Sequence, residues 1–213
     1  MQGRKNILEV IQSDFQIHSL YVTEEIKAEI KNEQEATVIT QKELETISTL
    51  QSNSAGLAVV YQKESPLIPV KNEYIIALDG INDPGNLGTI IRIADWYNLK
   101  RIVCSLDTVD CYNPKVINAS MGSFTRVAIQ YTDLIPFLNE QSCPVLAADM
   151  QGVSVYDYHL QKEGIIVMGN EANGISENVH QLVSETISIP RKGGAESLNV
   201  AIATAIICDN LFR

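Results

Sequence analysis

Tyr74-Ile75-Ile76-Ala77-Leu78-Asp79-Gly80 decides the fold. Apolar residues follow one another from 74 to 78, and the run stops at an aspartate and a glycine. A strand with one wet face alternates apolar and polar residues; a strand covered on both faces does not. The same texture returns at 165–169 (IIVMG), and shorter apolar runs stand at 101–105, 127–130, 144–149 and 185–190. Between them lie helical patterns at 87–99, at 114–120 behind a leading proline, near 132–140, near 176–183 and at 196–212. Buried strands alternating with helices predict an α/β fold, a parallel sheet covered by helices on both faces. Ligands in such sheets bind at the carboxyl ends of the strands. Chemistry is therefore expected in the loops after 74–80, 165–169 and 185–190.

Upstream the texture differs. Ile7, Leu8, Val10 and Ile11 form a helical stripe. Residues 17–23, 36–40 and 57–62 read as strands, and 24–33 as a charged amphipathic helix. Thr40, with Glu43 three residues on, is a capping box that opens a helix over 41–50. Residues 1–63 thus read as a separate small α/β domain. The segment 64–73, with two prolines and mixed charge, reads as a linker to a domain at 74–213.

Composition sets the outer limits. Of 213 residues, 45% are hydrophobic and 20% charged, so the chain is not wholly disordered. At this length roughly 70% of the unfolded surface goes inside. No apolar run approaches the roughly 20 residues of a membrane span. The start, MQGRKNILEV, has no secretory pattern, and the cytoplasm is the expected location. Cys104, Cys111, Cys143 and Cys208 make no CxxC pair and read as free buried thiols in a reducing compartment. His18, His159 and His180 lack metal-ligand spacing, so no metal is expected, and without a long apolar run no membrane partner is expected either. Net charge is −10, with 6 basic against 10 acidic residues before residue 70 and 10 against 16 after it. Coating of nucleic acid without sequence preference rests on neutralised phosphates, which argues against that class but leaves room for a local basic site.

Three loops carry the functional signal. Residues 79–92 hold an Asn-Asp-Pro-Gly turn, and Asn86 reads either as a helix cap or as a functional amide. Arg92 lies in the apolar run Ile90-Ile91-Arg92-Ile93-Ala94, where a charge needs a partner or a task. Gly169-Asn170-Glu171-Ala172-Asn173-Gly174-Ile175-Ser176 follows a buried strand and reads as a plain connection or as a place of close backbone approach to a ligand. In 189–200 a strand stops at Pro190; a basic pair and two glycines precede Ser197 and Asn199. No GxxxxGK[ST] or strand-linked GxGxxG occurs, so neither a P-loop nor a Rossmann site is present.

Taken together and in order, DxxxDPxNxGxxxR, GNExxGIS and IPxxGxxESLNVxxAxxI resemble the three signature motifs of the SpoU/TrmH-type RNA 2′-O-ribose methyltransferases, a branch of the SPOUT superfamily. The resemblance covers residues 74–213. It implies a C-terminal trefoil knot, a rare exception to the rule against knots. It also implies S-adenosylmethionine as cofactor, ribosomal or transfer RNA as substrate, and a homodimer with its active site near the subunit boundary. Carried over by position, Gly169, Ile189 and Leu198 are the implied cofactor contacts. Asn86, Arg92, Glu171, Ser197 and Asn199 are the implied catalytic set. The family's proposed proton acceptor falls on Arg92; since a neutral guanidine is costly, a phosphate clamp is the other reading.

Residues 1–63 resemble, more loosely, the family's substrate-binding domain. Members often carry a basic helical stretch ahead of the segment matching Gln2-Gly3-Arg4-Lys5-Asn6, and the expectation is that such a start is missing here. Residues 113–124 match a further family segment, with Asn118 where arginine is frequent. Given the acidic total, RNA contact is expected from a local groove of Lys115, Arg126, Arg191 and Lys192. The alternative is a catalytically inactive RNA-binding member; the complete polar set speaks for the enzyme.

Overall fold

The computed structural model describes residues 1–30, 35–50, 52–159 and 161–212, which divide into two compact units, Met1–Glu64 and Ser65–Arg213. The first contains α1 (Arg4–Ile11), β1 (Ile17–Val22), α2 (Glu24–Glu29), β2 (Thr37–Val38), α3 (Gln41–Ile47) and β3 (Gly56–Val60). Its sheet runs β2-β1-β3, with β1 parallel to β2 and antiparallel to β3. Ile7, Leu20, Val22, Ile26, Ile30 and Ala58 form its core. The helix expected over 24–33 is shorter: Ile30 is already extended, and 31–33 lie outside the described residues. The capping box is formed, Thr40 Oγ1 accepting from the Glu43 N–H and Glu43 Oε2 from the Thr40 N–H.

The second unit contains β4 (Tyr74–Asp79), α4 (Pro84–Trp96), β5 (Arg101–Cys104), α5 (Pro114–Ser120), β6 (Ala128–Tyr131), α6 (Leu134–Asn139), β7 (Val145–Ser154), β8 (Gly164–Gly169), α7 (Glu177–His180), β9 (Glu185–Ser188) and α8 (Val200–Phe212). Its six strands lie in the order β6-β5-β4-β8-β7-β9, every neighbouring pair parallel. Every residue from Tyr74 to Leu78 and from Gly164 to Met168 is buried, as two-sided cover requires. Ile75, Ala77, Val103, Ile165 and Val167 pack under α6 and α7 through Leu134, Phe137, Leu138 and Val179. Their pleat neighbours point to the opposite face, where α4 packs with α5 and α8, and α8 also touches β8. Gly88 is the close point of that layer: a Cβ there would lie 2.5 Å from Ala119 Cβ and 2.6 Å from the Val116 carbonyl oxygen.

The proline-bearing segment after Glu64 is held along the second unit. Buried Arg101 donates to the carbonyls of Ile68 at 2.8 Å and Pro69 at 3.3 Å, and to Glu73 Oε1 at 2.5 Å. The Val70 N–H reaches Gln141 Oε1 at 2.9 Å, and Gln130 Nε2 donates to the Pro66 carbonyl.

Two helix starts differ from the sequence reading. α4 opens at Pro84 rather than at 87, because Asp83 caps it and Pro84 occupies a position where no N–H is required. α8 opens at Val200 rather than at 196, because Asn199 turns its side chain onto the first helical N–H groups.

Candidate active site

The carboxyl ends of β4, β8 and β9 all lead to one polar cluster, and its bonds fix the orientation of every amide in it. Asp83 Oδ1 accepts from the Asn86 backbone N–H at 2.8 Å. With the capping task at Asp83, the Asn86 side chain is available to the site. Asn199 Oδ1 accepts from the N–H groups of Ala201 and Ile202 at 3.0 and 3.3 Å. Its acceptor is thereby spent, and Nδ2 donates to Asn86 Oδ1 at 2.9 Å. Asn86 Nδ2 in turn donates to Glu171 Oε1 at 2.8 Å. The relay runs one way, from the start of α8 through two amides to a carboxylate that only accepts. It joins residues 113 and 85 positions apart in the chain.

The loop bearing Glu171 is tightly folded. The backbones of Asn170 and Gly174 exchange both hydrogen bonds at 2.9 Å. Gly169 sits so close to the returning chain that a Cβ would lie 2.2 Å from the Gly174 carbonyl carbon and 2.3 Å from the Ile175 nitrogen. Only glycine fits there. Asp79, the last residue of β4, accepts from the Ser176 N–H through Oδ2 at 2.7 Å and ties the far side of the loop to β4.

Of the residues singled out from sequence, Asn86, Glu171 and Asn199 touch. Ser197 and Leu198 lie just before Asn199 and are exposed, Leu198 by 50%. Ile189 follows β9 and is half-buried. Arg92 is on α4 with Asn86 but about 9 Å further along the axis. It stands on the exposed stripe Gly85-Thr89-Arg92-Trp96, while Ile90, Ile91 and Ala94 turn inward. Helical periodicity thus removes the conflict seen in the linear text, for the apolar neighbours face away from the charge. Among the described residues no hydrogen bond or ion pair holds the Arg92 guanidinium.

The four basic candidates differ in their commitments. Arg126 is paired with Asp95, Nε lying 3.0 Å and the nearest amino nitrogen 2.9 Å from Oδ2. Arg191 donates to the Ala195 carbonyl at 3.2 Å and closes the turn before Ser197. Lys115 and Lys192 are exposed. The sequence motifs contained Asp79, Asp83 and Asn170 without assigning them a role in the site. Asp83 had a signal, an aspartate directly before proline at a helix start; the other two act on partners distant in the chain.

The sequence model of the SpoU rRNA methylase family matches residues 73–209, the span that carries all three loops. The chain belongs to the SpoU rRNA methylase family. A Bacillus subtilis relative, the 23S rRNA (guanosine(2553)-2′-O)-methyltransferase RlmP, is 25% identical over 99% of this chain and 87% of its own. The 23S rRNA (uridine(2479)-2′-O)-methyltransferase of Streptomyces viridochromogenes is 31% identical, over 74% of this chain and 61% of its own. Among solved structures, a TrmH-family protein of Porphyromonas gingivalis superposes with a TM-score of 0.89 at 32% identity, over 99% of this chain and 87% of that one. The AdoMet-bound rRNA methyltransferase of Sinorhizobium meliloti gives 0.86 at 28% identity, over 99% and 85%. The parallel sheet between helix layers is the architecture of these SpoU structures. Among the described residues, no group of three or more metal-binding side chains occurs and no helix is long and apolar enough to cross a membrane.

Proposed function

We propose that this SpoU-family chain transfers a methyl group from S-adenosylmethionine to a ribose 2′-hydroxyl of RNA. The observation that carries the reading is the directed relay from Asn199 through Asn86 to Glu171. A cluster of this kind, exposed at the carboxyl ends of parallel strands, is where a ligand of such a sheet reacts.

The residues present fit the cofactor. Gly169 lets the loop pass back against itself at Gly174 and Ile175, which fixes the loop's backbone, and Leu198 offers an exposed apolar contact. Gly169, Ile189 and Leu198 hold the cofactor in this proposal. When bound, it supplies an already activated methyl group on a sulfonium centre.

The protein's own tasks are then alignment, charge stabilisation and exclusion of water. Glu171 and Asn199 hold the Asn86 amide in one orientation, and Ser197 and Asn199 border the ribose. Arg92 clamps the phosphate beside the target ribose and stabilises the oxygen as its proton passes to solvent at the exposed edge of the cluster. The target oxygen and the methyl carbon must meet in line, so positional error is costly.

A second copy completes the enzyme. α4 exposes Trp96 by 82%, and α8, apolar on nearly every side, exposes Ile202 by 53%. A helix apolar all round is normally covered. A homodimer across this face puts Arg92 at the subunit boundary. The trefoil knot belongs to the same proposal: after edge strand β9 the chain returns to pack α8 against α4. The reaction is placed in the cytoplasm, on ribosomal or transfer RNA, with Lys115, Arg191 and Lys192 and the first unit contacting the substrate.

The test is methyl transfer to total RNA purified from cells lacking the gene, with ribose methylation mapped against wild-type RNA. Arg92→Ala and Arg92→Lys are each expected to lose about 100-fold or more in turnover, the scale of a misplaced reacting group. Parental turnover in both variants overturns the assignment of Arg92. The absence of any newly methylated ribose overturns the activity.

A further inference from the structure

We propose that Asn170 is a positioning residue for methyl transfer, clamping the loop that bears Glu171 onto the loop that bears Asn86. The inference rests on the relay from Asn199 to Glu171 being the reacting site.

The Asn170 side chain divides its two ends between two loops. Oδ1 accepts from the N–H groups of Ala172 and Asn173 at 2.8 and 3.1 Å, an Asx turn that shapes its own loop. Nδ2 crosses to the other loop and donates to the Gly80 carbonyl at 2.6 Å, ninety residues away in the chain. Because Oδ1 is held by two backbone donors, the amide has one orientation, and only its nitrogen can face Gly80.

Gly80 is held from both sides. Its N–H donates to Ser105 Oγ at 2.8 Å, and Ser105 Oγ donates to Asp107 Oδ1 at 2.5 Å. Gly80 has φ +72°, and a Cβ there would meet Asp107 Oδ2 at 3.2 Å and Asn170 Nδ2 at 3.7 Å. The carbonyl that receives Asn170 is therefore itself fixed. Three residues after Gly80 comes Asp83, the cap of α4, and then Asn86. Directly after Asn170 comes Glu171. Beyond the Asp79–Gly169 pairing of the ladder, this side-chain bond holds the near side of the Glu171 loop against the Asn86 loop, where Asn86 and Glu171 meet at 2.8 Å.

Asp and Asn differ here by one end only. In Asn170→Asp one carboxylate oxygen still accepts from Ala172 and Asn173, so the turn and the close pass at Gly169 survive. The other oxygen replaces Nδ2 and faces the Gly80 carbonyl oxygen, and the clamp becomes a repulsion. Loss of turnover is then expected without loss of cofactor affinity. A role confined to loop integrity predicts the opposite, loss of both.

The experiment uses the full chain, total RNA from a gene-deletion strain as acceptor, and calorimetric titration with S-adenosylhomocysteine. For Asn170→Asp, kcat is expected to fall by about 100-fold, as a displacement near 1 Å can cause. Apparent KM for the RNA and Kd for S-adenosylhomocysteine are expected to stay within about twofold of the parent. Since Asn170 acts through Glu171, the double variant Asn170→Asp/Glu171→Ala is expected to be no slower than Glu171→Ala alone. Parental kcat in Asn170→Asp overturns the proposal, as do losses that multiply in the double variant or a Kd that weakens in step with kcat. If Asn170→Asp fails to fold, Asn170→Ser decides: its hydroxyl caps Ala172 but does not reach Gly80, and full turnover in it overturns the proposal. Full turnover in Glu171→Ala, which leaves Asn86 Nδ2 without its acceptor, removes the relay itself as the site, a failure separate from that of Asn170.

Discussion

Asn199 performs two tasks with one side chain. Its oxygen caps α8 and its nitrogen holds Asn86. The two separate cleanly in Asn199→Asp. Aspartate caps a helix as well as asparagine does, so thermal stability is expected to stay at the parental level. The donor to Asn86 Oδ1 is gone, however, and Asn86 faces carboxylates on both sides. Turnover is expected to fall by about 100-fold at unchanged melting temperature, following the cost of misaligned reacting groups. Asn199→Ala removes both tasks and is expected to cost about 1 kcal/mol of stability as well, measured by urea unfolding. Equal stability in the Asp and Ala variants contradicts the cap.

Among the elements, α4 carries the most constraints. Asp83 caps it, Asn86 joins the amide relay from its first turn, Gly88 admits α5, and Arg92 and Trp96 share the exposed stripe. Gly88→Ala would force a methyl group into Ala119 and the Val116 carbonyl, and overpacking of this kind costs about 1–3 kcal/mol. Unfolding of that variant by urea checks it; parental stability refutes the close contact. How much of this was legible in the sequence depends on the distance over which each residue acts. The near-continuous apolar text of 74–78 and 165–168 declared a sheet buried on both faces, because two-sided burial leaves no room for polar alternation. The capping box at Thr40 was equally readable, since its partners are three residues apart. The start of α8 was misplaced by four residues, because Glu196–Asn199 is compatible with a helix until the Asn199 side chain is seen to cap it. Asn170 and Asp79 are letters of the family motifs, but nothing local shows what they hold. Each is an ordinary turn or strand-end residue until its partner, ninety or more positions away, is brought beside it. The touching trio of Asn86, Glu171 and Asn199 was named by family resemblance, and no local pattern would have joined it.

At the scale of the molecule, the four thiols report on integrity. Cys104, Cys111, Cys143 and Cys208 are free and buried. Burial pushes the Cys208 thiol up to about 12 and the Cys111 thiol up to about 11. Native protein at pH 8 is expected to leave them unlabelled by a thiol reagent until it unfolds; rapid labelling at native conditions contradicts the packing. The sign of the linkage follows. An unfolded cysteine titrates near 8.5, so the stabilisation is complete below that pH and is lost as pH rises toward the folded values. Melting temperature is expected to fall progressively above about pH 8.5. Buried Arg101 holds the segment after Glu64 through two carbonyls and Glu73. Arg101→Met leaves half-buried Glu73 and two carbonyls without their donor and is expected to cost about 1–3 kcal/mol, read by denaturant titration. Finally, the cap on α8 has a temporal meaning. The first amide of the relay is also the cap of α8, so the cluster cannot assemble before that helix winds up.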